Sequence, residues 1–374
     1  MPTLTPRENY LRAVRRQEPV WVPFYLGFTP GALAKFREAT GREDYAEFFR
    51  FPWRWISPTG RDDEARPGEE AYEPYYAGVD RPAGSRIDGF GVLRVPGSMY
   101  HFVKMVHPLR NAASVAEVEA YPWPPLPPEY TEAEIAAMRS RTDAVKAEGR
   151  AVLGPAGAIF EHAWSLRGLD NMLADLAVGN EVSDAILDWF TERSRRCAVA
   201  CARIGCDTID AGDDVGMQDR MMMAPDLWRR AIKPRASRVF AAAREVKPDL
   251  HITYHSDGYI EPIIPDLIEI GVDIINPVQP ECMDQARIKR LYGDRLCLER
   301  CIGTQTVLPF GSGEEIDAQV KWTIDVLGAG GGLILGPTHS IEPDVPWKNI
   351  VAFYRAVLKH GGYDRYPGEM PVLS

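Results

Sequence analysis

The sequence predicts an α/β fold, a single (β/α)8 barrel over residues 1–374. Three observations carry that expectation. Six short apolar strand segments alternate with helical stretches from residue 131 onward. Two further apolar runs near the amino terminus bring the strand number to eight. Alternation of this kind implies parallel strands buried beneath helices, and eight such units fit a closed barrel. An open doubly wound sheet is the structural alternative.

The elements are expected in this order. Thr5-Pro6-Arg7-Glu8 is a helix start, with a capping threonine, a proline suited to the first turn and a glutamate placed to complete a capping box. The helix Glu8–Arg16 ends before Pro19, as an amino-terminal extension to the barrel. Trp21–Gly27 and Arg54–Pro58 supply the first two strands. Residues 59–130 are rich in Pro, Gly and Tyr. Within them Arg86–Val95 and Tyr100–Val106 alternate like hairpin strands, an insertion too small for a core of its own. Helical stretch Glu132–Glu148, helix-rich stretch Leu169–Ile204 and helices Pro225–Val246, Ile260–Ile270, Met283–Leu291 and Gly313–Leu327 lead respectively into strands 151–157, 206–214, 251–258, 272–279, 295–303 and 331–339. Lys348–His360 closes the chain.

Composition bounds the function. A net charge of -10 argues against a nucleic-acid partner, which would want a basic face. No apolar run approaches the roughly 18 residues of a membrane span. The amino terminus lacks the apolar core of a secretory signal. The six cysteines form no C-x-x-C pair and no evident disulfide framework, so a reduced, cytoplasmic protein is expected. The glycine-rich Gly328–Gly332 precedes a strand rather than opening a helix, and so fails the context test for a nucleotide loop.

Polar residues at the carboxy-terminal ends of barrel strands point into the active site. Those ends supply Glu161, Asp210, Asp213, Asp214, Gln218, His255, Asp257, Asn276, Gln279, Thr304, Gln305 and His339. His255-x-Asp257 puts two ligand-type side chains on one side of an extended segment. With His339 they are the expected ligands of a zinc or other divalent ion. A structural alternative has His255 bonded to a neighbour and Asp257 capping the next helix. Asp213, Asp214 and Glu161 are the expected acid–base groups. As neighbours, Asp213 and Asp214 face opposite ways, so one of them enters the pocket. Gln218, Asn276, Gln279, Tyr25 and Trp164 are expected to contact a small-molecule substrate.

Four segments resemble the uroporphyrinogen decarboxylase superfamily: TPRENYLRAVRRQEPVWVP, DDVGMQDRMMMAPDLWRRAIKPR, HSDGYIEPIIPDLIEIGVDIINPVQ and GGLILGPTHSIEPDVPWKNIVAFYRAV. That resemblance implies a (β/α)8 barrel and often a homodimer. True uroporphyrinogen decarboxylases carry an R-x-x-G-R-Y segment after the first strand. The stretch Tyr25–Lys35 lacks both arginines, so the guanidinium clamps for an acidic porphyrinogen are missing. The cobamide-dependent methyltransferases of the superfamily hold zinc through H-x-C and a later Cys. Here His255-x-Asp257 and His339 stand at those places, with harder ligands replacing both thiolates. The resemblance therefore implies a demethylase-type methyltransferase acting on a small methoxylated or methylated substrate, with a partner protein bringing the corrinoid. The alternative is a metal-free decarboxylase or lyase of a small acid, drawing cations from Arg300, Arg167 or Arg220.

Overall fold

The computed structural model describes residues 4–58, 66–97 and 103–373. Seven parallel strands form a curled sheet in chain order: Trp53–Trp55, Ala151–Gly157, Thr208–Gly212, His251–His255, Ile274–Asn276, Cys297–Glu299 and Leu333–Ile334. Their interior residues, among them Val152, Ile209, Ile252, Ile274 and Leu298, are fully buried. That burial on both faces is why these strands read as apolar runs rather than alternating ones.

The remaining stave, first in chain order, is the chain at 23–28, which runs parallel to the last strand and makes the seven strands above the second to the eighth. Tyr25 N–H donates to the Leu335 carbonyl at 2.8 Å, Leu335 N–H to Pro23 at 2.8 Å and Ile341 N–H to Gly27 at 2.7 Å. The expected first strand is thus a ribbon bonded along one edge. On its other side, no backbone bond to Trp53–Trp55 occurs among the described residues. Aromatic contact fills that seam instead, with Tyr25 lying 5.5 Å from Phe51 and 6.3 Å from Trp53 between ring centroids.

Helices cover the outside. Glu181–Arg203 packs on Lys233–Val246, and Gly313–Trp322 on Trp347–His360. The expected helix over 225–246 is broken in two, Pro225–Ala231 and Lys233–Val246. Pro234 cannot donate to the preceding turn and so starts a new helix. Among the helices outside the sequence expectation are Pro30–Thr40 and Phe160–Arg167. The second carries Glu161.

The insertion holds an antiparallel sheet of Arg86–Ile87, Leu93–Pro96 and Val103–Val106. Residues 100–102 of the expected second hairpin strand lie outside the described residues. Arg167 ties the insertion down. Its buried guanidinium donates to the carbonyls of Leu109, Arg110 and Ala112 at 2.8–3.0 Å and pairs with Asp175 at 2.8 Å. It is a structural clamp and no cation of the mouth. Arg220 is exposed beside Asp219. The six thiols are free, and among the described residues no helix is long and apolar enough to cross a membrane.

At the opposite end of the barrel, helix Pro6–Val14 begins with the expected capping box of Thr5 and Glu8. Its Arg7 grips Asp207 through two bonds of 3.0 and 2.7 Å, while Asp207 also accepts from Val152 N–H at 3.0 Å. Burial opposes ionisation of Asp207, but Arg7, Lys146 and the Val152 N–H outweigh it and hold the carboxyl below its usual range. Arg7→Gln leaves this buried charge half-paired and is expected to cost about 2 kcal/mol at neutral pH in urea denaturation. The wild-type contribution is present above the unfolded carboxylate value of about 3.9 and is lost as pH falls through the depressed folded value. The gap between wild type and Arg7→Gln should therefore close in acid. A gap that is constant down to pH 2 would show that the pair contributes nothing by charge.

Candidate active site

The loops after the fourth and fifth strands build the centre of the barrel mouth, and they do so by touching backbone to backbone. Asp213 N–H donates to the His255 carbonyl at 3.0 Å, Val215 N–H to Ser256 Oγ at 3.1 Å and Tyr259 N–H to the Met217 carbonyl at 2.7 Å. Gly216 and Gly258 permit the approach. A Cβ on Gly258, whose φ is +83°, would lie 2.6 Å from the carbonyl carbon of Gly216.

This interlock brings Asp214, His255 and Asp257 together, with one potential ligand atom from each lying within 4.8 Å of the others. Asp214 Oδ1 accepts from Asp257 N–H at 2.8 Å and lies 3.6 Å from His255 Nε2. Asn276, at the end of the sixth strand, has its Oδ1 2.9 Å from His255 Nδ1. Nδ1 therefore carries a hydrogen, and Nε2 faces the carboxylates. Asp257 Oδ1 is buried with no hydrogen-bond partner. An oxygen in that position is available to a cation or a substrate proton.

Glu161 completes the group from the helix after the third strand. Burial, then the neighbouring charge of Asp214, pushes its pKa up to about 7. Burial also raises Asp257. Burial opposes protonation of His255, yet the charges of Asp214, Asp257 and Asp210 raise its pKa above the usual value. Asp210, deeper in the fourth strand, rises to about 6, chiefly by burial. Crowded carboxyls around one imidazole are the charge pattern of a cation site or of a proton-transfer centre.

The remaining expected residues are placed as follows. Asp213 is buried and faces away from the group. It accepts from Glu161 N–H at 2.9 Å and so holds the start of helix Phe160–Arg167. Burial keeps its pKa well above the carboxylate range. His339 stands at the rim, half exposed, with Nδ1 3.0 Å from the Ser340 carbonyl and 3.9 Å from Glu342 Oε1. His339 lies outside the mutually close set of Asp214, His255 and Asp257 and acts on Asp257 through space. Gln279 is buried and accepts from Gly258 N–H, which fixes the fifth-strand loop. Gln218 is exposed and bridges to the Glu281 carbonyl at 3.1 Å and to Gln305 at 3.3 Å. Trp164 packs edge-on against His107 of the insertion. Tyr25 lines the mouth under Arg300, whose guanidinium lies 4.1 Å from its ring centroid. A hollow of ≈ 810 Å³ opens at the other end of the barrel, lined by Thr5, Arg42, Glu47, Arg150 and Tyr366. There Glu47 and Arg150 are spent on each other at 2.7–2.8 Å.

Residues 94–360 match the family described as uroporphyrinogen decarboxylase. A methyltransferase from Methanosarcina mazei superposes with a TM-score of 0.61 at 18% identity, over 95% of this chain and 99% of its own. The catalytic domain of the major endoglucanase of Xanthomonas campestris pv. campestris superposes with a TM-score of 0.31 at 15% identity, over 63% of this chain and 80% of its own. The first likeness bears on the fold, and the second carries no weight. No curated protein matches the chain.

Asp213 and Asp214 are neighbours with opposite tasks, and stability separates them. Asp213→Ala strips an acceptor from a buried helix start and is expected to cost about 2 kcal/mol in chemical denaturation. Asp214→Asn keeps the acceptor for Asp257 N–H and removes a crowded charge, so metal-free protein should be at least as stable as wild type. Equal destabilisation by the two changes would contradict this division.

Proposed function

We propose that this chain, which belongs to the uroporphyrinogen decarboxylase family, is a methyltransferase of the demethylase type. It would take a methyl group from a small methoxylated or methylated substrate and pass it to a corrinoid carried by a partner protein. The gathering of Asp214, His255 and Asp257 beside Glu161 is the observation that carries this reading. The barrel shared with a methyltransferase supports it.

The donor set fits a divalent ion such as zinc. One imidazole and two carboxylates converge, one carboxylate oxygen is buried and unspent, and three protein ligands leave an open position. Such an ion, when bound, supplies Lewis-acid polarisation of the substrate's leaving atom. The residues do the rest. Asn276 keeps the Nε2 face of His255 directed inward. Asp214 orients the backbone of Asp257 and so the direction of its carboxyl. Glu161, which holds its proton near neutrality, gives that proton to the substrate oxygen as the carbon–oxygen bond breaks and the methyl group passes to the corrinoid. Relative to thiolate ligation, oxygen and nitrogen ligands suit an ether oxygen better than a thiol acceptor. The acidic mouth is a poor host for a porphyrinogen bearing many carboxylates, which fits the missing arginines after the first stave.

The test is metal content together with methyl transfer. Protein loaded with zinc and freed of excess should retain about one equivalent by elemental analysis, and His255→Ala should lose it. Asn276→Ala should weaken retention roughly 10- to 100-fold. Wild type with a methoxylated aromatic substrate and reduced cobalamin should form methylcobalamin, followed by absorbance. Retention of no divalent ion, with release of carbon dioxide from small acids instead, would overturn the reading in favour of a decarboxylase.

A further inference from the structure

We infer that Arg300 is an anion clamp, and that the substrate of this mouth carries a carboxylate. The inference deepens the reading of the mouth as the active site and rests on it. Arg300 follows strand Cys297–Glu299 directly. Its backbone is bonded on both sides, N–H to Ile334 at 3.0 Å and carbonyl from Val278 N–H at 3.2 Å. Its φ is +55°, a left-handed value that is strained for a non-glycine residue. Held in that conformation, the side chain stacks over Tyr25 at 4.1 Å. Tyr25 is itself backed by Phe51 and Trp53. At Gly336 a Cβ would stand 3.0 Å from the Tyr25 carbonyl, so the backbone that carries Tyr25 is closely approached there by a residue without a side chain.

The guanidinium is fixed in plane but unspent. Its Nε is buried without a partner. It acts on Asp257 and Asp210 through space, and among the described residues it forms an ion pair with neither. A guanidinium has five donors, and leaving them unmade in a partly buried site is costly unless a ligand takes them. Its planar fork matches a carboxylate through two parallel bonds. A doubly charged phosphate is the poorer fit, because Asp210, Asp214, Asp257 and Glu161 all line the same mouth. One end of a small monocarboxylate on Arg300 leaves the other end facing the His255 group.

Binding of benzoate and of its neutral isostere benzamide tests this, by calorimetry on the full chain without corrinoid. Benzoate is expected to bind roughly 10- to 100-fold tighter than benzamide. Arg300→Gln should erase that preference, and Arg300→Lys, which keeps the charge without the fork, should retain part of it. Should Arg300→Gln fail to fold, the wild-type ratio and the Arg300→Lys variant still decide. Equal binding of the two probes, a preference that survives in Arg300→Gln, or tighter binding of inorganic phosphate than of benzoate each overturns the clamp. Methyl transfer is scored separately, with 4-methoxybenzoate against anisole. Transfer that does not favour the acid removes the clamp and leaves the methyltransferase standing. A benzoate preference without any transfer does the reverse.

Discussion

Carboxyl groups cluster around one imidazole in a place where water screens them poorly, and the barrel mouth is arranged around that constraint. Asp214, Asp257, Glu161 and Asp210 would repel one another if all were ionised. The structure holds them together through backbone. Asp214 accepts from the N–H of Asp257, Asp213 accepts from the N–H of Glu161, and Gln279 accepts from the N–H of Gly258. Each bond aims a carboxyl by fixing the peptide next to it. Free energy gained elsewhere, in the large apolar interior, is what makes such a cluster tolerable.

The barrel was legible because its signal is repeated. Six strand–helix units follow one another from residue 131 onward, so a wrong boundary in one does not alter the total. The errors fell where a single residue overrides a pattern. Pro234 splits a helix whose periodicity runs through it. The first stave reads as an ordinary strand, because nothing in an apolar run says how many of its edges are bonded. Helix Phe160–Arg167 starts without a side-chain cap of its own and takes its acceptor from Asp213, so its beginning has no local signature.

The site was legible in its cast and less so in its roles. His255, Asp257, Glu161 and Asp214 do meet. His339 was picked out by its place at a strand end, and that place does not report that the imidazole leans to the rim toward Ser340 and Glu342. Asp213 and Asp214 could be recognised as facing opposite ways but not told apart, since that depends on which face meets the helix start. Gln279 and Asn276 act on the backbone or on the histidine, a task that no motif records. Arg300 was visible only as one more cation. Its left-handed backbone and its seat on Tyr25 belong to tertiary structure.

The stave at 23–28 has one more consequence, for the order of synthesis. Its edge is bonded to the final strand, as in the bond from Thr29 to Ile341 across 312 residues of chain. On the ribosome this ribbon emerges early and must wait for nearly all of the polypeptide before its backbone partners exist. In the meantime the partners at hand for its Phe24, Tyr25 and Phe28 are Phe36 and the aromatic residues at 45–53, which follow soon after and which they touch in the finished fold. The same rings that fill the seam in the mature barrel are therefore among those available to chaperone its first stave.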